Sequence, residues 1–304
     1  SDVSAVLSAV TRDIAARAAQ LAERAMLEAG EGRAAAPWCL LVLGSGGRGE
    51  SLLAPDQDNA LIVADAGASE IDGWFLRFAE RLNVILDEAG IPFCKGGVMA
   101  RNRAWRRTVG EWKEAVAHWT ARPEGEALLN VDIFFDAAPV AGDTSLAAQV
   151  MGHAQATARQ ALPFLRLLAE AGTKHRPPLG LIGGLAVDAA GRVDLKRGGL
   201  LPIVSGARVM ALKLGAPAIA TGARLQAAIA AGLLGSDNGE GLEQARRTIA
   251  GAILRQQILD LDGGAEPGNR VDPKRLTRAQ RRDLKAALRA SGEASALVQD
   301  VLSG

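Results

Sequence analysis

The chain has little cysteine, little histidine, almost no net charge and no long apolar run. Its 304 residues include 2 cysteines and 3 histidines, too few for a disulfide framework or a zinc site of the usual cysteine and histidine type. The net charge of +1, from 35 basic and 34 acidic residues, argues against a general nucleic-acid binder. No segment approaches the roughly 20 apolar residues that span a bilayer, and no signal-peptide pattern is present. We therefore expect a cytoplasmic protein without a membrane partner.

The apolar pattern divides the chain into three segments. Residues 1–29 are predicted to form an amphipathic helix that packs against the next domain, because apolar residues recur at Val3, Leu7 and Val10. Residues 30–143 mix strand and helix patterns, and residues 144–304 consist mainly of alanine-rich helical segments. The predicted fold is α+β, a mixed sheet with helices followed by an all-α helical-bundle domain.

Short apolar runs and alternating patterns mark the strands, whereas longer periodic segments mark the helices. In the middle segment the predicted strands are 38–43, 60–63, 91–99 and 131–135, and the predicted helices are 71–86 and 105–119. In the last segment, 180–187 and 192–195 are expected to pair as a small hairpin.

A glycine-rich loop, Gly44-Ser45-Gly46-Gly47-Arg48-Gly49-Glu50, follows the first predicted strand. Glycines let backbone amides approach an anion, so the loop predicts a phosphate site. Its spacing also fits the G-x-G-x-x-G dinucleotide fingerprint, with Asp65 about 20 residues further on. That alternative requires a helix that crosses back to a parallel strand. Only ten residues, among them Pro55, separate Gly49 from Ala60, which leaves little room for such a helix.

Three aspartates accompany the loop. Asp56 and Asp58 are two residues apart, so they point to the same side of an extended backbone. Asp132 lies in the last predicted strand of the middle segment. If these strands are neighbours, the three carboxylates converge on Mg²⁺, with two ions expected and Mn²⁺ as an alternative. Taken singly, each aspartate is more often a turn or cap residue than a metal ligand, and only the combination with the loop favours a metal site.

Two loop side chains are candidates for phosphate contact. Ser45 has a hydroxyl that can donate to the terminal phosphates or cap the helix that follows. Arg48 can neutralise phosphate charge, and Glu50 is expected either to cap that helix or to hold Arg48.

Together, these residues resemble the nucleotidyltransferase superfamily pattern, in which Gly-Ser, Asp-x-Asp and a later strand aspartate follow one another. The segments Asp56-Gln57-Asp58-Asn59 and Phe93-Cys94-Lys95-Gly96-Gly97 are similar to a bacterial group within it. That group resembles the signal-protein uridylyltransferases and is often linked to CBS and cyclic-nucleotide-binding domains.

The resemblance implies a nucleotidyltransferase-type sheet in residues 30–143 and a substrate-binding helical domain in residues 144–304. It also implies that Gly44 and Ser45 contact the phosphates and that the three aspartates are the catalytic metal ligands.

Three basic residues outside the loop are further candidates for nucleotide contact. Lys95 lies between an apolar run and two glycines, where a plain loop role is the alternative. Lys196 and Arg197 precede a helix that resembles the start of the substrate-binding domain. They are candidates for contact with the triphosphate or the acceptor, and the alternative is that they form a solvent-exposed basic turn.

We therefore predict a nucleotidyltransferase, of the protein uridylyl- or adenylyltransferase type, that transfers a nucleoside monophosphate from an NTP and releases pyrophosphate. The expected acceptor is a hydroxyl group of a signalling protein rather than a nucleic acid. The alternative is a nucleotide-binding module in signal transduction with little or no turnover. The sequence leaves the base of the NTP and the formation of a homo-oligomer open.

Overall fold

The computed structural model of the chain describes residues 3–122, 131–180 and 183–303. It contains two compact units, the first comprising residues 1–51 with 55–157 and the second residues 158–304 with the short segment 52–54. The division at 157/158 falls inside a helix, beyond the position 143 suggested by the sequence, and the N-terminal helix is part of the first unit. None of the described helices has the length and apolar content to cross a bilayer.

The first unit contains a four-stranded mixed sheet with the strand order β3-β2-β1-β4. The central strand β1 (Trp38–Val42) pairs antiparallel with β2 (Asn59–Val63) and with β4 (Ala138–Gly142). The edge strand β3 (Arg106–Thr108) runs parallel to β2. Both β1 and β2 are buried along their whole length, which explains their continuous apolar sequence.

Alanine on one helix and aromatic residues on another build the main core of this unit. The helices described in this unit include α1 (Val3–Glu28), α2 (Gly44–Arg48), α3 (Trp74–Glu88), α4 (Val109–Ala121) and α5 (Thr144–Gln160). The buried face of α1 carries mostly alanine, so the rings of Trp38, Trp74 and Phe78 have room to pack between α1, α3 and the sheet. Trp74 stacks on Phe78 with 5.3 Å between ring centroids. The predicted α+β class is confirmed.

The strand predicted at 91–99 is wrong, because this stretch is a loop. The third strand is instead β3, which the sequence placed inside the helix predicted at 105–119. That helix begins at Val109, where Thr108 and Glu111 form a reciprocal capping box. The T-x-x-E spacing that produces such a box was present in the sequence and marks the correct start.

The strand predicted at 131–135 is also wrong. Residues 131–134 are helical, Phe135 and Asp136 form a turn, and the strand follows as β4. Within this segment the buried side chains are Val131, Phe134 and Phe135, and this spacing is typical of a helix face and not of a strand. Phe134 stacks on Trp112 with 4.8 Å between ring centroids, so packing against α4 outweighs the local alternation.

The second unit is mainly helical. Its helices are α6 (Leu162–Thr173), α7 (Leu201–Leu214), α8 (Thr221–Ala230), α9 (Ser236–Asp262) and α10 (Arg278–Ser303). Helix α7 is buried continuously from Pro202 to Leu212 and contacts α6, α8 and α10. The helical-bundle part of the predicted fold is therefore present.

The hairpin predicted between residues 180–187 and 192–195 is wrong, because the second of these segments pairs with a different strand. Strand β5 (Val193–Asp194) pairs antiparallel with β6 (Arg270–Val271), a segment far along the chain. Leu181 and Ile182, which belonged to the predicted hairpin, lie outside the described residues.

Candidate nucleotide and metal site

The glycine loop forms the short helix α2 directly after β1. Gly44 enters it with φ +58°, and Gly49 ends it with φ +77°, both in the left-handed region that glycine adopts without strain. At Gly47 a Cβ atom would lie 1.8 Å from the carbonyl oxygen of Asp136 and 2.7 Å from that of Val42. Only glycine fits there, so the loop packs directly on the backbone at Asp136.

The topology excludes the dinucleotide alternative. The G-x-G-x-x-G site needs its third glycine to open a helix that leads to a parallel neighbouring strand. Here Gly49 ends a five-residue helix, and β1 and β2 are antiparallel.

Asp56 and Asp58 come together just before β2, as their spacing predicted. One oxygen of each carboxylate and the sulfur of Cys94 lie within 4.8 Å of one another. The Oδ2 atom of Asp58 is 3.0 Å from the position that a Cβ atom on Gly44 would take. The carboxylate pair therefore lies against the start of the glycine loop.

Asp132 does not join this cluster in the described structure. It lies on the helical turn at 131–134, half-buried, and has interactions of its own. The side chain of its neighbour Ile133 lies 3.1 Å from the Cβ position of Gly44, so this turn borders the loop. The structure brings two of the three predicted ligands together and places the third on an adjacent turn.

Cys94 is the member of the cluster that the sequence did not reveal. It is half-buried, and burial, followed by the negative charge of Asp58, raises the pKa of its thiol to about 11. The thiol is therefore protonated at neutral pH. In the sequence, Cys94 lies in an apolar run, where a free thiol most often acts as a small core residue, and no local signal links it to Asp58.

A buried polar network holds the Cys94 loop next to the aspartates. Asn83 on α3 donates to the side chains of Gln57 (2.8 Å) and Asn59 (3.1 Å). The Asn59 Oδ1 atom accepts from the backbone N–H of Ala100 at 2.8 Å, and Asn83 Oδ1 accepts from that of Arg101. Gln57 and Asn59 alternate with the aspartates, so they lie on the opposite face of this segment. Gln57 and Asn59 anchor the segment in the core, whereas Asp56 and Asp58 present their carboxylates on the other face.

Arg48 is engaged by two carboxylates. Its guanidinium donates to Glu50 at 2.8 Å and to the buried Asp136 at 2.5 Å. Burial lowers the pKa of Arg48, but the charges of Asp136 and Glu50 outweigh burial and raise it above the ordinary value. Glu50 thus holds Arg48, one of the two roles expected for it. This cluster ties the glycine loop to the turn that follows Asp132, so phosphate contact by Arg48 stays a prediction.

The remaining predicted basic residues are exposed. Lys95 lies beside Cys94 in the first unit. Lys196 and Arg197 begin a π-helical turn, Lys196–Leu200, in the second unit, and neither has an ion pair among the described residues. A Cβ atom on Gly198 would approach the carbonyl oxygen of Arg176 to 2.7 Å. The turn is thus closely packed underneath, and π-helical turns often occur at functional sites.

Two family models match the chain. Residues 1–126 match the one described as "Putative nucleotidyltransferase DUF294", and residues 163–301 match the "Putative nucleotidyltransferase substrate binding domain". The mixed sheet, the glycine loop and the paired aspartates define a nucleotidyltransferase-type protein with a helical second domain. The chain belongs to this nucleotidyltransferase family, as the sequence resemblance implied. No curated protein matches it.

Proposed function

We propose that the protein is a Mg²⁺-dependent nucleotidyltransferase that moves a nucleoside monophosphate from an NTP to a hydroxyl group of a signalling protein. One observation carries the proposal. The carboxylates of Asp56 and Asp58 converge within 4.8 Å, and Asp58 lies against Gly44 at the start of the glycine loop.

The donor set suits a hard divalent cation, because carboxylate oxygens are the preferred ligands of Mg²⁺. In our proposal Asp56 and Asp58 hold the metal. When bound, Mg²⁺ neutralises triphosphate charge and stabilises the transition state of an in-line displacement.

The protein groups perform the other steps of the proposed reaction. The backbone N–H groups of Gly44 and Ser45 are not used in main-chain hydrogen bonds of the described residues, so they can donate to phosphate oxygens. The acceptor hydroxyl oxygen forms the new bond to the α-phosphorus, the bond to the leaving pyrophosphate breaks, and Asp132 accepts the hydroxyl proton. Lys95, Lys196 and Arg197 are proposed to contact the nucleotide.

Transfer of labelled nucleotide tests the proposal. The wild-type protein is incubated with Mg²⁺, a cell lysate and each of four NTPs labelled at the α-phosphate, and modified proteins are identified by mass spectrometry. We expect transfer from one NTP, and we expect Asp58→Asn to lose it. Asp87→Asn is the matched control, because Asp87 is an exposed carboxylate on α3 of the same unit. Equal transfer by Asp58→Asn and wild type would contradict the assignment.

A second candidate function is nucleotide binding without turnover. The observation that favours it is the composition of the cluster, in which the third group beside the two carboxylates is the Cys94 thiol and not Asp132. Calorimetry that finds tight Mg-NTP binding, together with no pyrophosphate release from any NTP, would select this function. Pyrophosphate release that depends on Asp132 would reject it.

A further inference from the structure

The N-terminal helix contacts the glycine loop through one arginine. Arg12, on α1, donates from Nε to the carbonyl oxygen of Gly46 at 2.8 Å and from Nη2 to that of Gly47 at 2.6 Å. The same Nη2 atom lies 3.7 Å from the Cβ position of Gly49. One guanidinium group therefore spans the C-terminal half of α2.

A second contact from α1 fixes the end of the loop. Ser8 lies one helical turn before Arg12 and is fully buried, and its hydroxyl accepts a 2.8 Å hydrogen bond from the backbone N–H of Ser51. Helix α1 thus holds the loop at two points, and both side chains act on main-chain groups.

These contacts matter because the glycine-rich loop has few side chains of its own that could fix its backbone. Glycine loses more backbone entropy on ordering than any other residue, and four of the seven loop residues are glycine. The Arg48 bridge to Asp136 fixes one side of α2, and Arg12 fixes the carbonyl groups on its last turn.

Arg12 is not explained by an ion pair. Within the described residues its hydrogen bonds go to the two loop carbonyls, and it has no carboxylate partner. A guanidinium that loses water needs such bonds to offset the cost of burial. The half-buried position of Arg12 is therefore linked to the loop conformation.

We infer that Arg12 is a positioning residue for the nucleotide site: by fixing the Gly46 and Gly47 carbonyl groups, it sets the backbone of Gly44 and Ser45 in the arrangement that receives the phosphates. This inference rests on the proposed function. It makes α1 a functional part of the nucleotidyltransferase domain in addition to a packing element.

Two variants of Arg12 and one matched control test the inference. Arg12→Gln removes the charge and the paired donors, and Arg12→Lys keeps the charge but cannot reproduce the fork of two donors. The control is Arg17→Gln on the same helix, because Arg17 is exposed and bonds only to Gln20 among the described residues. Hydrogen exchange of a peptide covering residues 44–51 and the affinity for Mg-NTP are measured on the full chain, well below its melting temperature.

We expect Arg12→Gln to speed exchange in the loop and to weaken Mg-NTP binding about tenfold, since it removes two charge-assisted hydrogen bonds. Arg12→Lys should fall between wild type and Arg12→Gln, and Arg17→Gln should match wild type. A purely structural role would lower the melting temperature but leave the affinity of the folded protein unchanged.

Unchanged loop exchange in Arg12→Gln would overturn the inference, and so would a loosened loop with affinity within about twofold of wild type. If the wild-type protein binds no nucleotide, the proposed function fails. The exchange measurement then decides alone whether Arg12 holds the loop.

Discussion

Replacing Gly47 with alanine tests whether helix propensity or packing against Asp136 controls stability at this position, because the two effects change the free energy of unfolding in opposite directions. Alanine favours helix over glycine by about 1 kcal/mol, so helix propensity alone predicts a more stable protein. In the structure the new Cβ would lie 1.8 Å from the Asp136 carbonyl oxygen, whereas real contacts stay above 3.0 Å. The backbone at Asp136 must then retreat by at least 1.2 Å, the difference between these distances, and this strains the bridge between Asp136 and Arg48.

The expected cost follows from these two effects. Overpacking costs about 1–3 kcal/mol, and disrupting a buried ion pair costs about 3–5 kcal/mol. We therefore expect Gly47→Ala to destabilise the first unit by roughly 3 kcal/mol or more, or by about 6–12 °C in melting temperature.

Intrinsic fluorescence measures this unit selectively. The five tryptophans all lie in it, at Trp38, Trp74, Trp105, Trp112 and Trp119, and the chain has no tyrosine. Urea unfolding followed by tryptophan emission therefore reports the first unit. Gly152→Ala is the control, because Gly152 is exposed within α5 and a Cβ there meets no atom within 4 Å. That variant should gain about 0.5–1 kcal/mol. A Gly47→Ala protein as stable as Gly152→Ala would refute the reasoning.

Three further predictions concern other parts of the chain. With a pKa of about 11, Cys94 is about 0.1% thiolate at pH 8, whereas a thiol of pKa 9.0 is about 10% thiolate. Iodoacetamide should therefore modify Cys94 about 100-fold more slowly than a free thiol, and Asp58→Asn should speed this modification. If peptide mapping finds that Asp58→Asn does not speed the modification of Cys94, the effect of the Asp58 charge is contradicted. Asn83→Leu should destabilise the first unit by roughly 3 kcal/mol in the fluorescence assay, because buried partners lose their hydrogen bonds; a loss below about 1 kcal/mol would count against the network. Arg278→Glu should raise the melting temperature of the helical second unit, followed by circular dichroism at low salt, because α10 has no acidic residue in its first turn. That gain should vanish near 1 M salt, and its persistence there would exclude a dipole effect.

The sequence alone determined those features that depend on neighbouring residues. Continuous apolar runs marked β1 and β2, and helical periodicity marked α3. The short, proline-containing link after Gly49 argued against a dinucleotide fold. The spacing of Asp56 and Asp58 placed both carboxylates on one side of an extended segment. Local geometry controls all of these features, so they could be predicted without the rest of the fold.

Contacts between distant segments decided the rest. Packing of Phe134 on Trp112 made residues 131–134 helical, although their alternation indicated a strand, and this moved Asp132 off the sheet. The polar network around Asn83 brought Cys94 to Asp58, and Arg12 reached the glycine loop from a helix more than 30 residues earlier. Sequence periodicity depends only on residues that are close along the chain, whereas burial and hydrogen bonding depend on residues that are close in the folded structure. For that physical reason, the sequence predicted the glycine loop and the aspartate pair, and only the tertiary structure revealed which side chains hold them in place.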